Sequence, residues 1–401
     1  MFHRLFINKD FFLLWTGKIV SQIGDRFYGI ALAWWLLEKT QSPMIMGFFM
    51  AASVLPGLAI GPFAGVFIDR WNRRNIIILA DVLRGILVLM VAHLSYCNQL
   101  RVWQIFAAAV MISLASAFFD PTVQAVVPQI VPEEHISRAN SLSQMVSSSS
   151  MVLGPVLGAV FVNYMGFTLV FLINGISYLL SAFFESFIHV PSAESMAAKD
   201  KNSILSELQQ GLRFIKLQRQ LLLVVYIIGL VHLFVGSLQV SLPFIAKALS
   251  GNPLQHMGYL QMMLGLGMLL GAVYIHAKVK KIIHTKSLFL VILLIGVCYM
   301  LLGMLRFIDL HIFFPYGLLV FCIGILIANA SIYWETLLQL NTPPSMTGRV
   351  FSISSMIGNI TLPISYGISG IVLNHLSLVS VMIFSGAALL LIGTLLLQND
   401  I

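Results

Sequence analysis

Long apolar runs fill this chain, and short polar breaks separate them. A helix that crosses a lipid bilayer needs about 20 such residues. Reading from one break to the next predicts twelve spans: 11–37, 44–68, 75–96, 102–126, 139–162, 167–189, 219–247, 254–277, 287–305, 311–337, 349–373 and 376–397. The expected fold class is therefore an all-α polytopic membrane protein. The longest polar stretch, 190–218, lies between the sixth and seventh spans. Its first part, "PSAESMAAKDKN", reads as a flexible linker. Its second part, "SILSELQQGLRFIKLQRQ", puts Ile204, Leu208, Leu212 and Ile215 on one helical face, with Glu207, Gln210, Arg213 and Lys216 elsewhere. That spacing predicts an amphipathic helix on the membrane surface, whose plainest role is to clamp two halves together. The predicted organisation is a six-helix bundle over 1–190, a linker with an amphipathic helix over 191–218, and a second six-helix bundle over 219–401.

Six spans, a linker and six spans suggest an internal duplication. "DPTVQAVVP" (Asp120 to Pro128) and "ETLLQLNTP" (Glu335 to Pro343) share an acid, a Gln four residues on and a Pro four further, at a constant offset of 215.

Composition agrees with the pattern. The chain has 401 residues, 59% hydrophobic and 9% charged, with a mean hydropathy of +0.93. A soluble domain carries about 25% charged residues. The net charge of +8 reads as loop anchoring, so no nucleic-acid partner is expected. With the N-terminus inside, sixteen Lys and Arg fall on cytoplasmic loops and four on outer loops. That asymmetry predicts both termini on the cytoplasmic side. Trp34, Trp35, Tyr96 and Trp103 fall near the outer interface, where aromatic rings are favoured. Cys97, Cys298 and Cys322 give neither a disulfide framework nor a metal spacing. There is no P-loop, no H-E-x-x-H and no G-x-S-x-G. The expectation is a non-enzyme with no cofactor and no metal.

Several residues break the apolar rule. In "SQIGDRFYG", Lys18, Gln22, Asp25 and Gly29 fall on one helical face, with Arg26 beside it. A charge at the bilayer centre costs at least about 2.5–3.5 kcal/mol. Such a stripe must face protein or water. It is either a packing pair or a site for substrate or protons. The fourth span adds Ser113, Ser116 and Asp120; the seventh adds His232, Gly236, Gln239 and Pro243; the tenth adds Asn329, Tyr333 and Glu335. A lone intramembrane His more often joins helices than carries protons.

The loop after the second span, "GVFIDRWNRRNIIILADVLRG", sets Asp69, Arg70, Arg73 and Arg74 beside an i,i+3 pair, Asp81 and Arg84. Anchoring alone needs no acids, so these residues suggest a salt-bridge latch that makes and breaks. In the fifth span, Gly154, Pro155 and Gly158, extended by Ser147 and Ser150, predict a kink and a close-packing surface.

These stretches resemble the major facilitator superfamily. "GVFIDRWNRR" is similar to its G-x-x-x-D-x-x-G-R-R signature: Gly65, Asp69, Arg73 and Arg74 match, and Asn72 replaces a Gly as a residue that tolerates left-handed backbone. "GPVLGA" resembles the antiporter signature of the fifth span, with Ala159 in place of its last Gly. "SQIGDRFYGIALAWWLLEKTQSP", "FFDPTVQAVVPQIVPEEHISRANSL", "ELQQGLRFIK" and "LQLNTPPSMTGRVFS" look like the drug-efflux branch that holds bacterial macrolide exporters and the enterobactin exporter. The resemblance implies two pseudo-symmetric six-helix bundles in a monomer of the bacterial inner membrane, exporting an amphipathic small molecule by alternating access. It implies protons as coupling ion, a cavity lined by the first, fourth, seventh and tenth spans, a cytoplasmic gate at Gly65, Asp69, Arg70, Arg73, Arg74, Asp81 and Arg84, and a seam between halves at Gly154, Pro155 and Gly158. Many proton-coupled relatives carry an Arg within the fourth span; here Arg101 only precedes it. Proton coupling would then fall to Asp25 with Arg26, or to Asp120 or Glu335. Siderophore or lipid-like cargo, a membrane enzyme and a non-transporting sensor are the alternatives.

Overall fold

The computed structural model describes residues 7–190, 204–278, 285–343 and 346–398, apart from the side chains at 62, 66, 69, 70, 204–208, 276–278, 347 and 348. Among these, every regular element is helical: α1 (Lys9–Thr40), α2 (Pro43–Ala52), α3 (Leu55–Arg70), α4 (Arg73–Tyr96), α5 (Val102–Ile130), α6 (Ile136–Glu185), α7 (Ile204–Leu217), α8 (Arg219–Lys247), α9 (Pro253–Lys278), α10 (Thr285–Phe307), α11 (Phe313–Leu340), α12 (Thr347–His375) and α13 (Leu378–Gln398), with a single 3-10 turn at Glu133–His135.

Two interruptions set the topology. The second predicted span is two helices, because Pro56 lacks an N–H and its ring crowds the carbonyl of Ala52, where α2 ends. The fifth and sixth spans run on as α6, broken only at Gly166, whose φ of 75° turns the chain without a Cβ clash. Ten helical stretches among the described residues are long and apolar enough to cross a bilayer. One of them is the 53-residue stretch Glu133–Glu185 that contains this break. The charged helix α1 is not among the ten, although it spans 32 residues.

The chain divides into two compact units, Met1–Gln41 with Ala51–Ala197, and Ser42–Met50 with Ala198–Ile401. Ser42–Met50 joins the second unit because Gly47 closes on the backbone of Tyr366 and Gly370. In the second unit the amphipathic helix α7 packs on α8 and α12. Ile215 is buried there beside Val224 and Val350, while Leu212 stays exposed.

Helices α4 and α6 turn apolar side chains outward. On the second arm of α6, Leu169, Ile173, Ile176, Leu180 and Phe183 are exposed at spacings of three and four, and Phe187 just beyond it is exposed too. The opposite face carries Asn174, Ser177, Tyr178, Ser181 and Glu185, all buried. Helix α4 does the same, with Leu79, Leu83, Ile86 and Met90 outside and Asp81, Arg84 and Val88 inside. This apolar exterior around a polar interior suits lipid as solvent.

Candidate functional site

Helix α6 of the first unit packs against both α1 and α4, so its polar face meets theirs. Close approach to α1 depends on two glycines. A Cβ on Gly24 would lie 2.5 Å from Ser177 Oγ, and one on Gly17 would lie 2.8 Å from Ser181 Oγ. With those positions bare, the Tyr178 hydroxyl donates a hydrogen bond to Asp25 Oδ1. Arg84 reaches into the same interior from α4. Its guanidinium lies 4.0 Å from the Phe119 ring centroid and 5.4 Å from that of Tyr178, and Nη1 is 3.4 Å from Asp81 Oδ1. One more step along α6, Ser181 Oγ donates to Glu185 Oε1 at 3.3 Å, while both oxygens of Asp81 lack a hydrogen-bond partner among the described residues. Polar groups thus gather between α1, α4 and α6: Glu185 with Ser181, Asp81 with Arg84, and Tyr178 with Asp25.

The outer part of the α1 stripe faces accessible space. Lys18, Gln22 and Asp25 are half-buried, while Arg26 and Gly29 are exposed, as is Asp120 on α5. Lys18 and Asp120 attract each other electrostatically. Ser147 Oγ donates to Gln22 Oε1 at 3.2 Å. Beside the stripe, α1 and the first arm of α6 enclose an almost wholly apolar cavity of about 260 Å³, with Trp15, Ile19 and Ile23 on one wall and Met145, Leu153 and Leu157 on the other. The charged stripe and the apolar cavity therefore lie on adjoining faces of α1.

The gate residues do not stay together as the sequence pattern suggested. Asp81 and Arg84 are buried inside the first unit, two turns and more into α4, with 0% and 4% exposure. Their helix turns them toward α6 and away from the rim, since the lipid face of α4 is taken by Leu79 and Leu83. Gly65 is exposed, with open space where a Cβ would stand. Asp69 and Arg70 end α3, and their side chains lie outside the described residues. Arg73 opens α4, and Arg74 donates to the carbonyl of Ser186, next to Glu185. Asn72 is not left-handed: at φ −65° and ψ 111° it caps α4, its side chain accepting from the Asn75 N–H at 3.3 Å. Asn is among the most favoured N-cap residues, and this role accounts for it at that position.

The small surface of α6 finds its neighbour within its own unit. A Cβ on Gly154 would collide with the Arg26 stem, and one on Gly158 would lie 3.0 Å from Phe27 Cα. Gly154, Pro155 and Gly158 are all buried against α1. In the second unit, His232 is half-buried beside Gly358 with no partner for Nδ1 among the described residues. Gln239 and Tyr333 are half-buried and Glu335 is exposed. The Asn329 amide, oriented to satisfy its neighbours, donates to the carbonyls of Gly271 at 3.1 Å and Ile325 at 3.2 Å, so it ties α11 to α9.

Glu185 and Tyr178 were missed by the sequence reading. One signal was present: Glu185 is the only Asp, Glu, Lys or Arg between Arg138 and Glu194. Tyr178, Ser181 and Glu185 also share a helical face. Among the described residues no cluster of His, Cys, Asp and Glu could hold a metal ion.

Comparison with known proteins accords with this architecture. Macrolide efflux protein A of Streptococcus pyogenes is 24% identical over 392 residues, covering 96% of this chain and 94% of that protein. The uncharacterized MFS-type transporter YfiS of Bacillus subtilis is 26% identical over 402 residues, covering 98% and 94%. Among solved structures, the nucleoside transporter NupG aligns with a TM-score of 0.78 at 10% identity, covering 96% of this chain and 98% of that one. A bacterial homologue of the iron transporter ferroportin in the inward-facing state aligns with a TM-score of 0.74 at 14% identity, covering 97% and 98%. These likenesses establish the fold of membrane transporters. The Major Facilitator Superfamily model matches residues 14–366, and the chain belongs to that family: it is a multi-pass membrane transporter of a small molecule.

Proposed function

We propose that this protein exports an amphipathic small molecule, of macrolide-like character, across the bacterial inner membrane in exchange for protons. The observation that carries the reading is the juxtaposition on α1: Lys18, Gln22 and Asp25 adjoin an apolar cavity of about 260 Å³. An apolar pocket with a few convergent polar groups suits a cargo that is greasy over most of its surface and charged or hydroxylated at one edge. The similarity to macrolide efflux protein A supports the same cargo class.

In this reading the chain crosses the bilayer twelve times: α1, the α2–α3 pair, both arms of α6 and the remaining long helices each make a crossing. Both termini are cytoplasmic. The α1 face is exposed alternately to the two sides of the membrane. Asp25 takes a proton when its face meets the more acidic outside and releases it inside, and cargo travels the other way. Asp120 and Glu335 are the second candidates. Asp69, Arg70, Arg73 and Arg74 hold the cytoplasmic side closed in one state.

The test is transport by the purified full chain in proteoliposomes, with radiolabelled erythromycin as probe and a pH difference imposed or absent. The expected result is accumulation against a gradient only when the pH difference is present. Flux that ignores the pH difference removes the antiport step. A siderophore or lipid-like probe that moves while erythromycin does not would reassign the cargo.

A further inference from the structure

We propose that Asp81 and Glu185 form a carboxyl pair that holds a single proton inside the first unit and is the release station of the proton path from Asp25 to the cytoplasmic side. The inference rests on the proton-coupled reading above, and it names two residues that reading does not use.

Asp81, Arg84 and Glu185 are 0%, 4% and 1% exposed. Two acids and one base buried together leave one negative charge in excess. An uncompensated charge in a medium of low dielectric is strongly disfavoured. Ser181 has only one proton to give, and it gives it to Glu185 Oε1; both oxygens of Asp81 lack a hydrogen-bond partner among the described residues. Glu185 Oε2 finds no partner among the described residues, and neither do Nε and Nη2 of Arg84. One added proton on the two carboxyls neutralises the set and gives one of the unpartnered carboxyl oxygens a proton to share. Asp81 and Glu185 act on each other electrostatically, and carboxyls so coupled take up protons as a pair, not as separate sites.

The surroundings do not supply another counter-charge. From α1 the group nearest in the chain is Asp25, itself an acid. From α5 it is Asp120, another acid. From α6 it is Tyr178, a neutral hydroxyl already donating to Asp25. At the start of α4, Arg74 is half-buried and donates to the Ser186 carbonyl; it keeps its charge, but it is not among the charges that act on Asp81 or Glu185. Lys18 faces Asp120, and Arg26 leaves α1 at Gly154 as an exposed side chain.

Position completes the case. Glu185 is the last residue of α6. Seven residues separate it from Tyr178, about 10 Å along the helix axis. Between them stand Ser181 and the Asp81–Arg84 pair. A proton passed on from Asp25 adds to one carboxylate of the pair, forming a carboxyl O–H. It leaves at the helix end, towards the cytoplasmic side, and Glu185 or Asp81 becomes a carboxylate again. No other reactant is consumed.

The test combines infrared spectroscopy with transport, on the full chain in lipid. In the wild type, a carbonyl stretch of a protonated carboxyl should persist at neutral pH. It should vanish or shift in Glu185→Gln and in Asp81→Asn, and remain in Asp25→Asn. In proteoliposomes, Glu185→Gln should still exchange radiolabelled erythromycin across the membrane at equal pH but lose pH-driven accumulation. Absence of a protonated carboxyl in the wild type at neutral pH overturns the proposal, as does a band untouched by both substitutions. Full pH-driven accumulation by Glu185→Gln also overturns it. If the wild type moves no erythromycin, the export reading fails on its own, and the infrared bands still decide whether the pair holds a proton.

Discussion

Replacing Arg84 by Met removes the one cation of the buried set while keeping a side chain of similar length. The structure fixes the size of the effect. With Nη1 3.4 Å from Asp81 Oδ1, the Coulomb attraction is about 5 kcal/mol at an effective dielectric constant of about 20. Burying the two ions costs several kcal/mol each, so the intact pair adds little net stability. Removing one partner is different, because it strands the other charge, at about 3–5 kcal/mol. Loss of the guanidinium stacked 4.0 Å over Phe119 adds about 0.5–2 kcal/mol. Arg84→Met alone should therefore shift the folding equilibrium by a factor of roughly one hundred to a few thousand or more, at about 1.4 kcal/mol per decade. Adding Asp81→Asn should restore much of the loss, since no orphan charge remains. The assay is equilibrium unfolding of the full chain in detergent micelles by titration with sodium dodecyl sulfate, followed by tryptophan fluorescence. A cost below about 1 kcal/mol, the range of an exposed pair, would refute the buried network. So would a double variant whose loss is the sum of the two single ones.

Other substitutions test other parts. Asp25→Asn should abolish pH-driven erythromycin accumulation while leaving folded protein in the membrane, and unchanged uphill transport would remove Asp25 from the mechanism. Gly154→Leu drives a side chain into the Arg26 stem and should destabilise the first unit by about 1–3 kcal/mol, read as a lower thermal midpoint in detergent. Ile23→Asn places an amide in the apolar cavity and should weaken erythromycin binding by about tenfold through lost apolar burial; a binding isotherm identical to wild type would show that the cargo does not enter there. Asp69→Asn should slow alternation more than it weakens binding, and a defect confined to cargo affinity would contradict the latch.

The helices were legible because lipid imposes a simple rule on sequence. The predicted span at 219–247 coincides with α8, and those at 75–96 and 102–126 differ from α4 and α5 by a few terminal residues. The break before Pro56 was written in the sequence as well, although apolar residues on both sides hid it within one run. The α1 stripe was visible because charge in an apolar run is conspicuous. Its partners were not, since helical periodicity gives faces but not which helices meet. Asp81 and Arg84 lie a short way beyond a basic loop, so proximity in sequence suggested a surface latch. Only the packing of α4 on α6 shows that they point inward. Gly154 and Gly158 announced close packing, but the identity of the neighbour, α1, depends on the tertiary arrangement.

The account depends most on the claim that the α1 stripe lines an aqueous path. Gly29 lies on that stripe, is exposed and has open space where a side chain would go, so Gly29→Cys can report on it without disturbing Asp25. In a background lacking Cys97, Cys298 and Cys322, this thiol should react with a water-soluble maleimide in sealed vesicles. Its rate should change when erythromycin and a pH difference are added together. A thiol that reacts from neither side of the membrane, with or without cargo, would contradict the account.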